Sequence, residues 1–115
     1  PAFYSRNSGL CALLRIESPG EAAYVYRKNI EAGLGTSTLV VNPVPEKDEI
    51  PNNEIEKITC GAIKYALEKK IKGKDLTPFL LKEIVKMTGG RSLKTNKALA
   101  INNVNLGIQI SKELC

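Results

Sequence analysis

A chain of 115 residues, 43% hydrophobic and 25% charged, has the balance of an ordinary folded domain and not of a disordered segment; with two Phe, four Tyr and no Trp its core must be aliphatic. Histidine is absent, which removes Ser-His and Cys-His nucleophile pairs, histidine proton transfer and every histidine metal site from this stretch. The net charge of +5 comes from lysines scattered among acids; the one local basic run, Lys69, Lys70, Lys72 and Lys74, reads as the solvated end of a helix before it reads as a nucleic-acid surface.

Pro1 to Ile16 opens as an irregular stretch, PAFYSRNSG, and continues into a short apolar strand candidate, Leu10 to Ile16. The first helix has a strong start signal: Ser18 to cap, Pro19 at the first helical position, and Glu21 three residues after Ser18 as a capping box requires. It is expected to run to about Ala32 and stop at Gly33, with Ala22, Ala23, Tyr26 and Ile30 facing inward. Thr36 to Asn42, TSTLVVN, is expected as a strand buried on both faces, because Leu39, Val40 and Val41 are apolar at consecutive positions. Asn42, Pro43 and Pro45 end it, and PVPEKDEIP follows as a rigid acidic loop. A second helix, from near Asn53 to near Ile71, places Ile55, Ile58, Ala62, Ile63, Ala66 and Leu67 at helical spacing. After a turn at Lys72 to Lys74, with Leu76 as a tiny strand, Thr77 and Pro78 repeat the cap-then-proline start for a third helix that stops at Gly89.

The fourth helix, from Ser92 to the end, is unusual. At about 100° per residue its positions 96, 100, 103 and 107 share one narrow stripe, occupied by Asn96, Ala100, Asn103 and Gly107, while Leu93, Leu99, Ile101, Val104, Leu106, Ile108 and Ile110 fill the rest. Apolar nearly all round, it is expected to be buried, and buried amides need partners from a neighbouring backbone or a ligand.

The tally is four helices, one good strand and one or two poor ones. A strand covered on both faces needs neighbours for its backbone groups, so the fold class expected is α/β in layers, with the sheet completed by sequence outside this chain or by another subunit. Cys11, Cys60 and Cys115 form no CxxC pair and are expected to be reduced, partly buried thiols. No apolar run is long enough for a transmembrane helix and no leader pattern is present, giving the expectation of a cytoplasmic protein; a first residue of proline fits a fragment.

Four segments in order, PAFYSRNSGL, ESPGEAAYVYR, LVVNPVPEKDEIP and KGKDLTPFLLKEIVKMTGGRSLKTNKALAINN, resemble the C-terminal part of pseudouridine-5'-phosphate glycosidases, the indigoidine synthase A-like family. The resemblance covers essentially the whole chain and implies the C-terminal part of a three-layer α/β/α sandwich in one domain over residues 1–115, assembled as a homotrimer. It implies cleavage of the carbon-carbon bond of pseudouridine 5'-phosphate to uracil and ribose 5-phosphate through a lysine imine, with Mn2+ or another divalent metal. The lysine, a glutamate acid and the metal ligands have no matching motif here, so no catalytic residue is expected in this chain, and Lys64, Lys82 and Lys97 are ordinary helix-face lysines.

What the resemblance does carry over is Asn96, in SLKTN, as a substrate-facing amide. Asn103 shares its stripe and either lines the pocket or supports it, and Asn42 sits at the carboxyl end of the expected strand, where open α/β sheets bind ligands. Phe3, Tyr4 and Arg6 border the site or a subunit interface, and Gly89-Gly90-Arg91 forms a glycine cap before it forms an anion site. Lys97 stands where the family commonly has an apolar residue, and CALLRIESP replaces a more polar stretch. The alternatives are a related C-glycosynthase and a non-catalytic basic module binding RNA or phosphate-rich partners through Lys69 to Lys74; the scarcity of aromatics for base stacking weighs against the latter.

Overall fold

The local start signal of the first helix is obeyed closely in the computed structural model, which describes residues 2–115; Pro1, the first residue of the expected irregular stretch, lies outside them. Helix α1 spans Pro19–Glu31. The Ser18 hydroxyl accepts the Glu21 N–H at 3.2 Å, and the Glu21 carboxylate returns to the Glu17 N–H at 2.6 Å, so two otherwise orphaned donors are satisfied. Ala22 and Ala23 are buried as expected, but Tyr26 and Ile30 face solvent.

Helix α2 spans Asn52–Glu68, ending short of Ile71 because Lys70 turns left-handed at φ 57°. The Ile71 N–H then bonds the Ala66 carbonyl and the Lys70 N–H the Leu67 carbonyl, both at 3.0 Å, which is a Schellman closure carried by a lysine where glycine is usual. Ile55, Ala62 and Ala66 are buried, whereas Ile63 and Leu67 are exposed. Leu76 is no strand: a 3₁₀ turn over Gly73–Asp75 feeds straight into α3, Leu76–Met87. Thr77 therefore lies inside the first turn and caps nothing, and Pro78 sits where a missing N–H costs no hydrogen bond.

At the α3 end the Gly90 N–H bonds the Val85 carbonyl at 2.8 Å and the Gly89 N–H the Lys86 carbonyl at 3.1 Å, with both glycines at positive φ (58° and 85°). Helix α4, Arg91–Leu114, starts at once. Its first free N–H groups have no side-chain cap from Gly90; the Thr88 hydroxyl serves instead, donating to the Ile84 carbonyl at 2.8 Å and accepting the Ser92 N–H at 3.1 Å. One hydroxyl thus closes one helix and opens the next.

The helices pair as α2 on α3 and α1 on α4. The apolar core gathers Tyr4, Ile50, Ile55, Ala62 and Ile84, with Ile58 and Leu80 against it, so the N-terminal segment and the acidic loop both close over the α2–α3 pair. This core is aliphatic apart from Tyr4, as the composition demands.

Three expectations are corrected. Among the described residues there is no strand: Leu10 to Ile16 and Thr36 to Asn42 carry no sheet pairing, and Leu39 and Val41 are 86% and 52% exposed. The reason is the one that made the strand costly, since nothing in these residues offers it a ladder partner. Helix α4 is not buried all round, because it packs on one side only and Ile101, Val104 and Ile108 face solvent. All three cysteines are exposed. A radius of gyration of 17.3 Å, against about 13 Å for a compact domain of this length, expresses the same openness.

Candidate functional site

The three amides singled out in the sequence lie on two elements, the Asn42–Ile50 segment and α4. Every carbonyl tie between these elements comes from α4's polar side chains. The Asn102 amide donates to the Pro43 carbonyl at 3.0 Å and the Thr95 hydroxyl to the Asp48 carbonyl at 2.7 Å. From the other side the Arg6 guanidinium donates to the Val44 carbonyl at 2.9 Å, the Arg6 N–H bonds the Glu49 carboxylate at 2.7 Å, and the Ile50 N–H bonds the Tyr4 carbonyl at 2.9 Å. Val44 is completely buried between them. A proline-rich segment that forms no regular ladder is in this way fixed residue by residue.

Asn42 and Asn103 meet: the Asn42 amide nitrogen donates to the Asn103 carbonyl oxygen at 3.2 Å. Asn96, half-buried, lies two turns earlier on α4 and is not joined to that pair. The buried line of α4 is Ser92, Thr95 and Leu99, and the stripe of Asn96, Ala100, Asn103 and Gly107 runs along its flank, with Ala100, Asn103 and Gly107 open to solvent. Such a flank offers alternating donor and acceptor groups over a low surface, since neither Ala100 nor Gly107 projects beyond a methyl.

Sequence reasoning missed Thr95, Asn102 and the guanidinium of Arg6 as the groups that hold the segment. The doublet Asn102-Asn103 was the available signal: adjacent amides on a helix diverge by about 100°, so one can bind the backbone while the other binds a side chain. Phe3 and Tyr4 stack edge to face at 4.8 Å and belong to the core side, where burial pushes the Tyr4 hydroxyl pKa up. They help line an apolar groove of about 460 Å³ with Ile55, Cys60, Leu80 and Ile84; none of the three amides reaches it. Gly89-Gly90-Arg91 is a helix junction and no anion site, because the Arg91 guanidinium is paired with the Glu54 carboxylate. Lys69, Lys70, Lys72 and Lys74 are exposed on the α2–α3 connection, and Lys69 lies over the Tyr65 ring at 5.4 Å.

Among the described residues no group of three or more His, Cys, Asp or Glu side chains converges to hold a metal, and no helix is long and apolar enough to cross a membrane. The amides can orient a ligand by hydrogen bonds; with Lys64, Lys82 and Lys97 all exposed, nothing here supplies a desolvated amine.

The sequence matches the family described as indigoidine synthase A like protein over residues 1–113. It is 47% identical over 114 residues to a pseudouridine-5'-phosphate glycosidase of Mesorhizobium japonicum, covering 99% of this chain and 37% of that protein, and 42% identical over 113 residues to one of Petrotoga mobilis, covering 98% and 37%. The chain therefore spans little more than a third of the length of the curated relatives it matches. Among solved structures it resembles an indigoidine synthase A-like protein of Thermotoga maritima at a TM-score of 0.77 and 42% identity, covering 98% of this chain and 37% of that one. The prealnumycin C-glycosynthase AlnA, solved with ribulose 5-phosphate, superposes at a TM-score of 0.87 with 20% identity and the same shares, a likeness of fold alone. These likenesses bear out the α/β fold class: the chain is a helix-rich part of that fold.

Proposed function

Because the chain belongs to the indigoidine synthase A-like family, we propose that the protein carrying it is a pseudouridine-5'-phosphate glycosidase, and that these 115 residues are the C-terminal part of its single domain. The observation that carries this reading is the identity of 42% to 47%, along nearly the whole chain, to proteins of that name. The reaction separates uracil from ribose 5-phosphate reversibly by breaking a carbon-carbon bond. A C-glycoside has no departing heteroatom to protonate, so the bond breaks only if an electron sink forms at C1'. A lysine imine is such a sink, and a glutamate acid delivers the proton to the departing base.

In this reading the lysine and the glutamate belong to residues outside the chain, since a reactive lysine requires desolvation and Lys64, Lys82 and Lys97 are exposed. The residues present do not form a site for Mn2+ or another divalent ion, and no step is assigned to one here. The contribution of this chain is binding and orientation: Asn96 meets the uracil edge, where a carboxamide can donate and accept across adjacent carbonyl and N–H groups, while Asn42 and Asn103 border the same ligand. The protein acts as a cytoplasmic homotrimer, with the exposed apolar flank around Leu39 and Val41 covered by the rest of the assembly.

The test is uracil release from pseudouridine 5'-phosphate, followed by absorbance. The full-length protein should release uracil, Asn96→Ala should raise KM about tenfold or more, and the 115-residue chain alone should be inactive. Turnover by the isolated chain would refute the assignment of the nucleophile to outside residues; no turnover by the full-length protein would refute the activity itself.

A further inference from the structure

We infer that Asn103 is a positioning residue whose task is to orient the Asn42 carboxamide, so that Asn42 presents its oxygen, and not its amino group, to the bound substrate. The inference rests on the glycosidase reading for the identity of that substrate, and on the local geometry for the rest. Asn42 and Asn103 are far apart in sequence, yet the Asn42 amino group is committed to the Asn103 oxygen at 3.2 Å. A carboxamide has two faces of opposite hydrogen-bonding character, exchanged by half a turn of its last torsion. Once its nitrogen is bound to an acceptor, its oxygen must point the other way.

The backbone beneath Asn42 does not need Asn103 to hold it. Pro43 restricts Asn42 to extended conformations, Asn102 binds the Pro43 carbonyl at 3.0 Å, and Arg6 binds the Val44 carbonyl at 2.9 Å over a fully buried Val44 side chain. What remains free is the rotation of the Asn42 side chain, and Asn103 is the residue that stops it. The two adjacent amides of α4 thus divide the work, Asn102 fixing main chain and Asn103 fixing a side-chain orientation. An oxygen held outward is an acceptor for a ligand N–H, and uracil carries two; a carboxamide free to turn would spend part of its time offering a donor to a donor.

The experiment uses the full-length protein with Asn103→Leu, Asn103→Asp, Asn42→Ala and the double variant N42A/N103L. Aspartate keeps the oxygen that accepts from Asn42, whereas leucine keeps the shape and removes the acceptor. Asn103→Leu and Asn42→Ala should each lower kcat/KM about tenfold, mainly through KM, with the double variant no worse than either single one. Asn103→Asp should restore activity to within about twofold, and the thermal midpoint should not move in any of them. In NMR spectra the Asn42 side-chain amide should exchange slowly with solvent in the unmutated protein and in Asn103→Asp, and fast in Asn103→Leu. Additive losses, equal losses in the leucine and aspartate variants, or fast exchange at Asn42 in the unmutated protein would each overturn the inference. A protein that releases no uracil but keeps the protected Asn42 amide would instead overturn the glycosidase reading and, with it, the substrate named here, leaving the orientation itself intact.

Discussion

Replacing Thr88 by valine keeps the shape of the side chain and deletes one hydroxyl at the α3–α4 junction. That hydroxyl is buried, donates to the Ile84 carbonyl at 2.8 Å and accepts the Ser92 N–H at 3.1 Å, with the Ser92 hydroxyl 3.0 Å away. Ser92 is itself 1% exposed, so in Thr88→Val its N–H loses a partner that water cannot readily replace. The cost of an orphaned buried donor is about 1–3 kcal/mol, and loss of a helix-start acceptor alone costs about 1 kcal/mol; about 2 kcal/mol is expected for the two descriptions of this one defect. Thr88→Ser retains the oxygen and should cost less than about 1 kcal/mol, chiefly for the lost methyl. Urea unfolding followed by circular dichroism, with unchanged m-values, measures both. A Thr88→Val protein within about 0.5 kcal/mol of the unmutated one would mean that the hydroxyl does not join the two helices as described.

Two further outcomes follow from the same geometry. Gly90 holds φ 85° with open space where a Cβ would lie, so Gly90→Ala tests backbone conformation alone and should destabilise by about 1–2 kcal/mol in the same unfolding assay. Burial raises the Tyr4 hydroxyl pKa above its ordinary 10.0, which means the folded state holds that proton more tightly than the unfolded state. Its contribution is therefore intact below about pH 10 and lost as pH rises through the raised native value; unfolding midpoints measured across that range should fall less steeply in Tyr4→Phe.

How much of this was legible in the sequence depended on how local the cause was. The start of α1 is written in Ser18, Pro19 and Glu21, and its end in Gly33, because caps are made by residues within a few positions of one another. The α2 terminus was placed too late because a left-handed lysine at position 70 carries no sequence mark comparable to glycine. The Thr36–Asn42 strand was read from composition, but a strand exists only with a neighbour, and no neighbour lies in these residues. On α4, periodicity marked a stripe of small and amide residues and missed that the buried line beside it is led by Ser92 and Thr95. Those side chains are inward because loop carbonyls await them, and a pairing with residues some fifty positions away has no signature in hydrophobic spacing. Asn42 and Asn103 were both singled out, but their contact became visible only in three dimensions.

The exposed run through Leu39, Val40 and Val41 has a consequence for handling the chain. Consecutive β-branched and leucine side chains without charge are the composition that adds strands to other chains, so the isolated 115-residue polypeptide carries a self-association hazard at that point. Pro43 and Pro45 stand immediately downstream, where the missing N–H groups interrupt any ladder propagating past Asn42. The prolines that confine the segment beside α4 thus also act as gatekeepers, limiting the sticky stretch to a few residues until its proper neighbours arrive.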